Sequence, residues 1–223
     1  RTSLLDHAIA TMVLSELLLM SGDYLLLKKT VEYACILCLL TQNRDGGWGR
    51  TPGDRRSSTF TTSWMVLALK TAKVCRDLEL FKTPSGKEID DAFKGALEWF
   101  DRATEKKTGF VCNSSFYSWD RSGAQENKDG LFYVDDVPVF TAMSVLCRLF
   151  AGERRKTEVI QKGVAQLMQF LPDKVYNKTA PHKPINFVYL YFGTFDAFQF
   201  GGELWKKWNA GANELLISHQ RSG

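Results

Sequence analysis

Helical periodicity recurs eight times along the 223 residues, and no run alternates apolar and polar residues as a half-buried strand would. The spacing predicts helices at about 3–20, 24–42, 58–75, 86–104, 136–151, 155–171, 185–200 and 202–219. Short turns join them in pairs at Ser21-Gly22-Asp23, Gly152-Glu153 and Gly201-Gly202. The 76–85 connection is looser, with Pro84 and Gly86 stopping and restarting the helix. The second helices of the pairs align from their C-terminal ends. Gly95 stands nine positions before Thr104, Gly163 nine before Pro172 and Gly211 nine before Gln220, and Tyr33 takes that place before Gln42. A mid-helix glycine costs about 1 kcal/mol against alanine. Its recurrence therefore predicts close helix approach and an internal repeat whose unit is one hairpin.

The first helix of each pair is the more continuously apolar, as in Ile9 to Met20, Phe60 to Leu69, Val137 to Phe150 and Phe187 to Phe200. The second helices carry Lys, Glu and Asp along one side. A helix apolar all round belongs inside, and an amphipathic one has a wet face. Both conditions are met by an all-α fold in which an inner ring of helices is wrapped by an outer ring, an α/α toroid or a large arc of one. An open solenoid of stacked hairpins is the competing arrangement. At this length the expectation is one domain over residues 1–223, built of hairpins at about 3–42, 58–104, 136–171 and 185–219.

Charge narrows the partners. Lysine and arginine number 29 against 25 acids, an excess of +4 that is scattered and does not suit nucleic acid. Asp6, His7, Glu16 and Asp23 interrupt the apolar N-terminal stretch, so no segment reads as transmembrane or as a signal peptide, and membrane attachment is left open. The five cysteines are odd in number and mostly lie in apolar helical runs, which argues against a disulfide framework and leans toward a reducing, cytoplasmic setting. Cys35 and Cys38 form a C-x-x-C without a second ligand pair. Neither a metal nor a cofactor is expected.

The stretch Gln42-Asn43-Arg44-Asp45-Gly46-Gly47-Trp48-Gly49 closes the first pair. Gln42-x-x-x-Gly46-x-Trp48 resembles the QW motif of terpene cyclases. The chain as a whole is similar to the prenyltransferase and squalene-oxidase repeat proteins, and most of all to bacterial squalene-cyclase-like repeat proteins of undefined activity. The likeness rests also on Asp6-His7-Ala8-Ile9-Ala10-Thr11, on Trp64-x-x-x-Ala68-Leu69-Lys70 and on Gly201-Gly202-Glu203-x-Trp205-x-x-Trp208-Asn209. It implies an α/α toroid in which Gln42, Gly46 and Trp48 fasten one repeat to the next. The residues alone support the same structural role. Gly46 and Gly47 permit a sharp turn, including positive φ. Trp48 can bury its ring on the next hairpin, and Gln42 can satisfy backbone groups at helix ends.

A toroid gathers the N-termini of its inner helices at one end, where free N–H groups make a natural ligand mouth. Candidate residues there are His7, Ser58, Tyr133, Phe140, Asn186 and Tyr189, with Asp135 and Asp136 as candidate acids. Tyr133-Val134-Asp135-Asp136 falls where related cyclases carry D-x-D-D. Tyr133 replaces the first acid, which weakens the case for proton-initiated cyclisation. Alternatively Asp135 or Asp136 caps the helix that follows, with Pro138 in its first turn. The zinc set of protein prenyltransferases, Asp-x-Cys with a later histidine, has no counterpart among the three histidines.

Two functions follow as expectations. One is a non-catalytic module that binds an isoprenoid, another apolar ligand or a protein. The other is an isoprenoid cyclase or transferase using an acid at the inner-helix N-termini. An apolar pocket from Asp135 to Tyr189 would favour the cyclase-like reading, and a lumen filled by Phe140, Trp64 and Phe192 would sink it.

Overall fold

The computed structural model describes residues 3–21, 24–113, 138–175 and 185–220. The described residues are all-helical apart from turns and two isolated bridges, Trp48 with Ser58 and Thr104 with Val111. The helices are α1 (Leu4–Ser21), α2 (Tyr24–Leu40), α3 (Thr59–Asp77), α4 (Gly86–Ala103), α5 (Val139–Phe150), α6 (Glu158–Gln169), the single turn α7 (Pro172–Val175), α8 (Phe187–Phe200) and α9 (Gly202–His219). The predicted segments fall on these helices, with α7 as an added turn.

Local chemistry sets several boundaries. Ser85 and Glu88 form a reciprocal capping box at the start of α4. Ser58 caps α3 by accepting from the Thr61 N–H, and Asn186 caps α8 by accepting from the Tyr189 N–H. Gly201, at φ 66°, ends α8 and lets the chain reverse into α9.

Packing sorts the helices into two rows. In the first, α1 lies against α3, α3 against α5 and α5 against α8. In the second, α2, α4, α6 and α9 each pack on the helix that precedes them in the first row. α3 and α5 have first-row neighbours on both sides and bury most of their residues, from Thr59 to Cys75 and from Val139 to Arg148. α1 and α8 have such a neighbour on one side, and here the expectation of burial all round needs correction. Val13, Leu17 and Met20 of α1 are exposed, as are Phe187, Tyr191, Phe195 and Phe198 of α8. α1 also departs from the sequence reading in another way. Its 18 residues are long and apolar enough to cross a membrane by length and composition. It nevertheless buries one face, Leu4, Ala8, Thr11, Ser15 and Leu18, among its neighbours.

The recurrent glycines mark close approaches. Gly46, at φ 80°, presses on α4 so closely that a Cβ there would lie 2.0 Å from the Gly95 oxygen. Gly109, at φ 79°, presses on α6, where its Cβ would lie 3.2 Å from the Gly163 nitrogen. Asp173 makes the third approach, 2.6 Å from where a Cβ on Gly211 would be. The turns at Gly46 and Gly109 and the residue Asp173 thus each lie against the next second-row helix near its glycine, although the missing side chain of Gly163 itself makes room for Val145 of α5.

The register of the repeat shifts by one residue in the first hairpin. Thr41 and Thr104 each donate a hydroxyl to the carbonyl four residues back, and the Trp48 and Val111 N–H groups donate to Thr62 and Thr141 respectively. Thr41, and not Gln42, is therefore the counterpart of Thr104. The place of Gly95 falls in α2 on Glu32, whose carboxylate accepts from the Lys82 N–H at 3.3 Å.

Candidate functional site

The QW-like motif is a clasp. The Gln42 amide donates to the Gly46 oxygen at 2.7 Å and to the Ala92 oxygen at 2.9 Å, tying the turn to α4. The Ala92 carbonyl lies within that helix, not at its end as the sequence reading supposed. Trp48 is fully buried; its indole N–H donates to Cys38 at 2.7 Å and its backbone N–H to Thr62 at 3.0 Å, linking α2 to α3. Asp45 accepts from Ser57 at 2.6 Å and from the Gly47 N–H, and Arg102 of α4 donates to the Asp45 carbonyl. All these groups spend their polar atoms on the fold.

The residues expected at the ligand mouth are spread over local tasks. His7 is half-buried, and its Nε2 donates to the Ala34 carbonyl of α2 at 2.9 Å. Ser58 and Asn186 are helix caps, and Phe140 packs half-buried against the core. Tyr189 is fully buried, its hydroxyl donating to Phe170 at 2.9 Å and its ring edge-on to Trp208. Trp208 in turn lies over Gly193 and donates to Thr194, both on the first helix of its own hairpin. Tyr133, Asp135 and Asp136 lie outside the described residues. The described helix α5 begins at Val139, with Pro138 at its N-cap and no side-chain cap bond.

The cysteines are not chemistry in waiting. Burial pushes the Cys38 thiol up to about 12 and Cys75 up to about 11, and it raises Cys35 and Cys147 as well. All four stay protonated near neutrality and are weak nucleophiles. Among the described residues no group of three or more His, Cys, Asp or Glu side chains could hold a metal ion.

What sequence reasoning missed is Asp196. It is the only charged residue in the fourteen of α8, FVYLYFGTFDAFQF, and that isolation was the available signal. Asp196 is fully buried, and neither carboxyl oxygen has a hydrogen-bond partner among the described residues. Burial raises its pKa well above the usual carboxylate range. It interacts electrostatically with Cys147 of α5, whose thiol donates to the Ser63 carbonyl of α3 at 3.5 Å. The next residue, Trp64, has a buried indole N–H that also lacks a partner among the described residues.

Aromatic rings surround this junction. Trp64 stacks on Tyr191 at 5.8 Å and meets Phe192 edge-on at 5.5 Å, and Tyr191 meets Phe195 at 5.1 Å. Trp64 and Phe192 thus occupy the space between α3 and α8. The rings continue outward into the exposed stripe of Phe187, Tyr191, Phe195 and Phe198. Burial raises the Tyr191 phenol, and Glu16 of α1 adds to the effect. Glu16, within electrostatic range of Tyr191, lies on the same side of α1 as the exposed Val13 and Met20.

No protein-family model matches the chain, and neither a curated protein nor a solved structure does.

Proposed function

We propose that the chain is an arc of an α/α toroid of the terpene-cyclase-like repeat class, acting as a binding module for an apolar, chain-shaped ligand. The observation that carries this reading is the set of large exposed apolar residues on two first-row helices, Val13, Leu17 and Met20 on α1 and Tyr191, Phe195 and Phe198 on α8. Large contiguous apolar surface on a folded protein marks a binding site more often than it marks idle surface. In the toroid reading these two helices belong to the inner row, so the stripe faces the concave side. Because Trp64 and Phe192 touch, the ligand lies along that stripe and not in a tunnel between α3 and α8.

Among the described residues the one buried unpaired acid, Asp196, suits binding better than cyclisation. Protonating an alkene needs a carboxyl that gives up its proton readily. Asp196 holds its proton more tightly than an ordinary carboxyl. Such a group serves hydrogen bonding better than proton donation.

The test is equilibrium binding of C15 and C30 isoprenoid chains to the purified protein. Leu17→Glu with Phe198→Glu, both at exposed positions, should weaken binding at least about tenfold, the effect of losing roughly 1.4 kcal/mol, with the melting temperature unchanged. Undiminished binding by that variant, or no binding by the wild type, contradicts the reading.

A further inference from the structure

Neither α1 nor α8, the two first-row helices with several exposed apolar residues, carries a lysine or an arginine, in a chain whose net charge is +4. α1 instead carries Asp6 and Glu16. Glu16 is exposed, forms no ion pair among the described residues and lies within electrostatic range of the Tyr191 phenol. The cations of the other two first-row helices are turned away or committed. On α3, Lys70, Lys73 and Arg76 all lie about 120° or more around the helix from Trp64, the residue that stacks on Tyr191. On α5, Arg148 is buried and ion-paired with Asp101 and Glu153.

Tyr191 and Phe195 are 37% and 41% exposed, and their rings meet at 5.1 Å with planes 65° apart, so they form a corner and not a closed stack. The face of an aromatic ring carries partial negative charge. Exposed ring faces on α8 and an unpaired carboxylate on α1 therefore attract the same kind of group, a cation. We propose that the ligand is an apolar chain ending in an ammonium group, seated on Tyr191 and Phe195 and balanced by Glu16. This rests on the binding-module reading above and names the class of ligand. The seat lies on exposed ring surface and needs no opening between Trp64 and Phe192.

The other chain ends fit less well. A phosphate or diphosphate is held by cations, yet α1 and α8 supply none and Glu16 repels it. A neutral hydroxyl gains little from a ring face, because the attraction there is between the ring quadrupole and a charge.

Three probes of equal chain length separate these cases: farnesylamine, farnesol and farnesyl diphosphate, each titrated at pH 7 and low salt. The amine, protonated at that pH, should bind the wild-type protein about tenfold more tightly than the alcohol, the worth of an exposed cation–π contact with an exposed ion pair. The diphosphate should bind most weakly. General attraction by a chain of net charge +4 would favour the diphosphate, so a preference for the amine reports the local site. Glu16→Gln, at an exposed position, and Phe195→Leu, which keeps apolar bulk and removes a ring, should each cut the amine-to-alcohol ratio about threefold. Wild-type binding of the alcohol or the diphosphate as tight as that of the amine overturns this assignment and leaves the binding-module reading standing. An amine preference that survives both substitutions undiminished overturns it too. Binding of none of the three removes both readings.

Discussion

A methyl group on Gly46 would lie 2.0 Å from the backbone oxygen of Gly95, on the next second-row helix. The contact is backbone against backbone, so no side chain can swing away to relieve it. Gly46 also sits at φ 80°, where residues with a Cβ are strained. One turn and one helix are held together by the absence of two side chains.

Gly46→Ala should therefore destabilise the protein by about 3 kcal/mol, combining backbone strain with forced separation of the clasp from α4. Gly53 is the control: its φ is 82°, but a Cβ there meets nothing within 4 Å. Gly53→Ala should cost about 1 kcal/mol, the strain alone. Urea denaturation of the two variants reads the difference, and equal losses would show that the close approach contributes nothing.

The repeat of glycines was legible in the sequence because a helix tolerates Gly95, Gly163 and Gly211 only for a packing reason. Its register in the first hairpin was not, since α2 carries Glu32 in that place and Gln42 drew the alignment one residue too far. Helix positions were legible from apolar spacing. Exposure was not, because α1 and α8 are more apolar than α3 and yet have fewer neighbours to cover them. Candidate mouth residues were chosen as helix-start residues, and Ser58 and Asn186 are indeed helix starts, with their side chains committed to capping. Asp196 escaped because it lies mid-helix among aromatics, where only burial and missing partners distinguish it.

Stability should fall with rising pH on account of Asp196. Its folded-state pKa lies above the unfolded value, so the folded form binds the extra proton between the two. Below the unfolded value near 4 the two states are equally protonated and the acid has no effect. As pH rises from there toward the folded pKa, this group removes up to about 1.4 kcal/mol per pH unit. Asp196→Asn should flatten that slope and exceed the wild type in stability near pH 7, measured by chemical denaturation from pH 4 to pH 8. Parallel slopes would mean that Asp196 ionises freely in the folded state.

Arg148 is 1% exposed and joins three elements. It donates to Asp101 of α4 at 2.8 Å, to both Glu153 oxygens at 3.3 Å and to Ser144 at 3.2 Å, and it stands over the Phe100 ring. Arg148→Ala should cost about 3–5 kcal/mol, since it leaves Glu153 without its fork and opens space beside Phe100. Arg148→Lys should recover only part of this, because an ammonium cannot reach both carboxylates with the same fork. Thermal melts of both variants check the order.

Thiol chemistry should be slow in the native state. Cys112 is the one partly exposed cysteine, and burial and Glu105 raise its pKa. A thiol reagent at pH 8 should modify Cys112 first, more slowly than a free cysteine, and reach Cys35, Cys38, Cys75 and Cys147 only on unfolding. Rapid native modification of the Cys35–Cys38 pair would contradict their burial.

The central claim is that the exposed apolar residues of α1 and α8 are where an apolar chain binds. A photoreactive isoprenoid chain, bound and then irradiated, reports its location through the residues it labels. Adducts should concentrate on Val13, Leu17, Tyr191, Phe195 and Phe198 and be competed away by unlabelled chain. The second-row residues Tyr33, Leu40, Leu216 and Ile217 are as exposed and as apolar, and labelling spread equally over them would contradict the account.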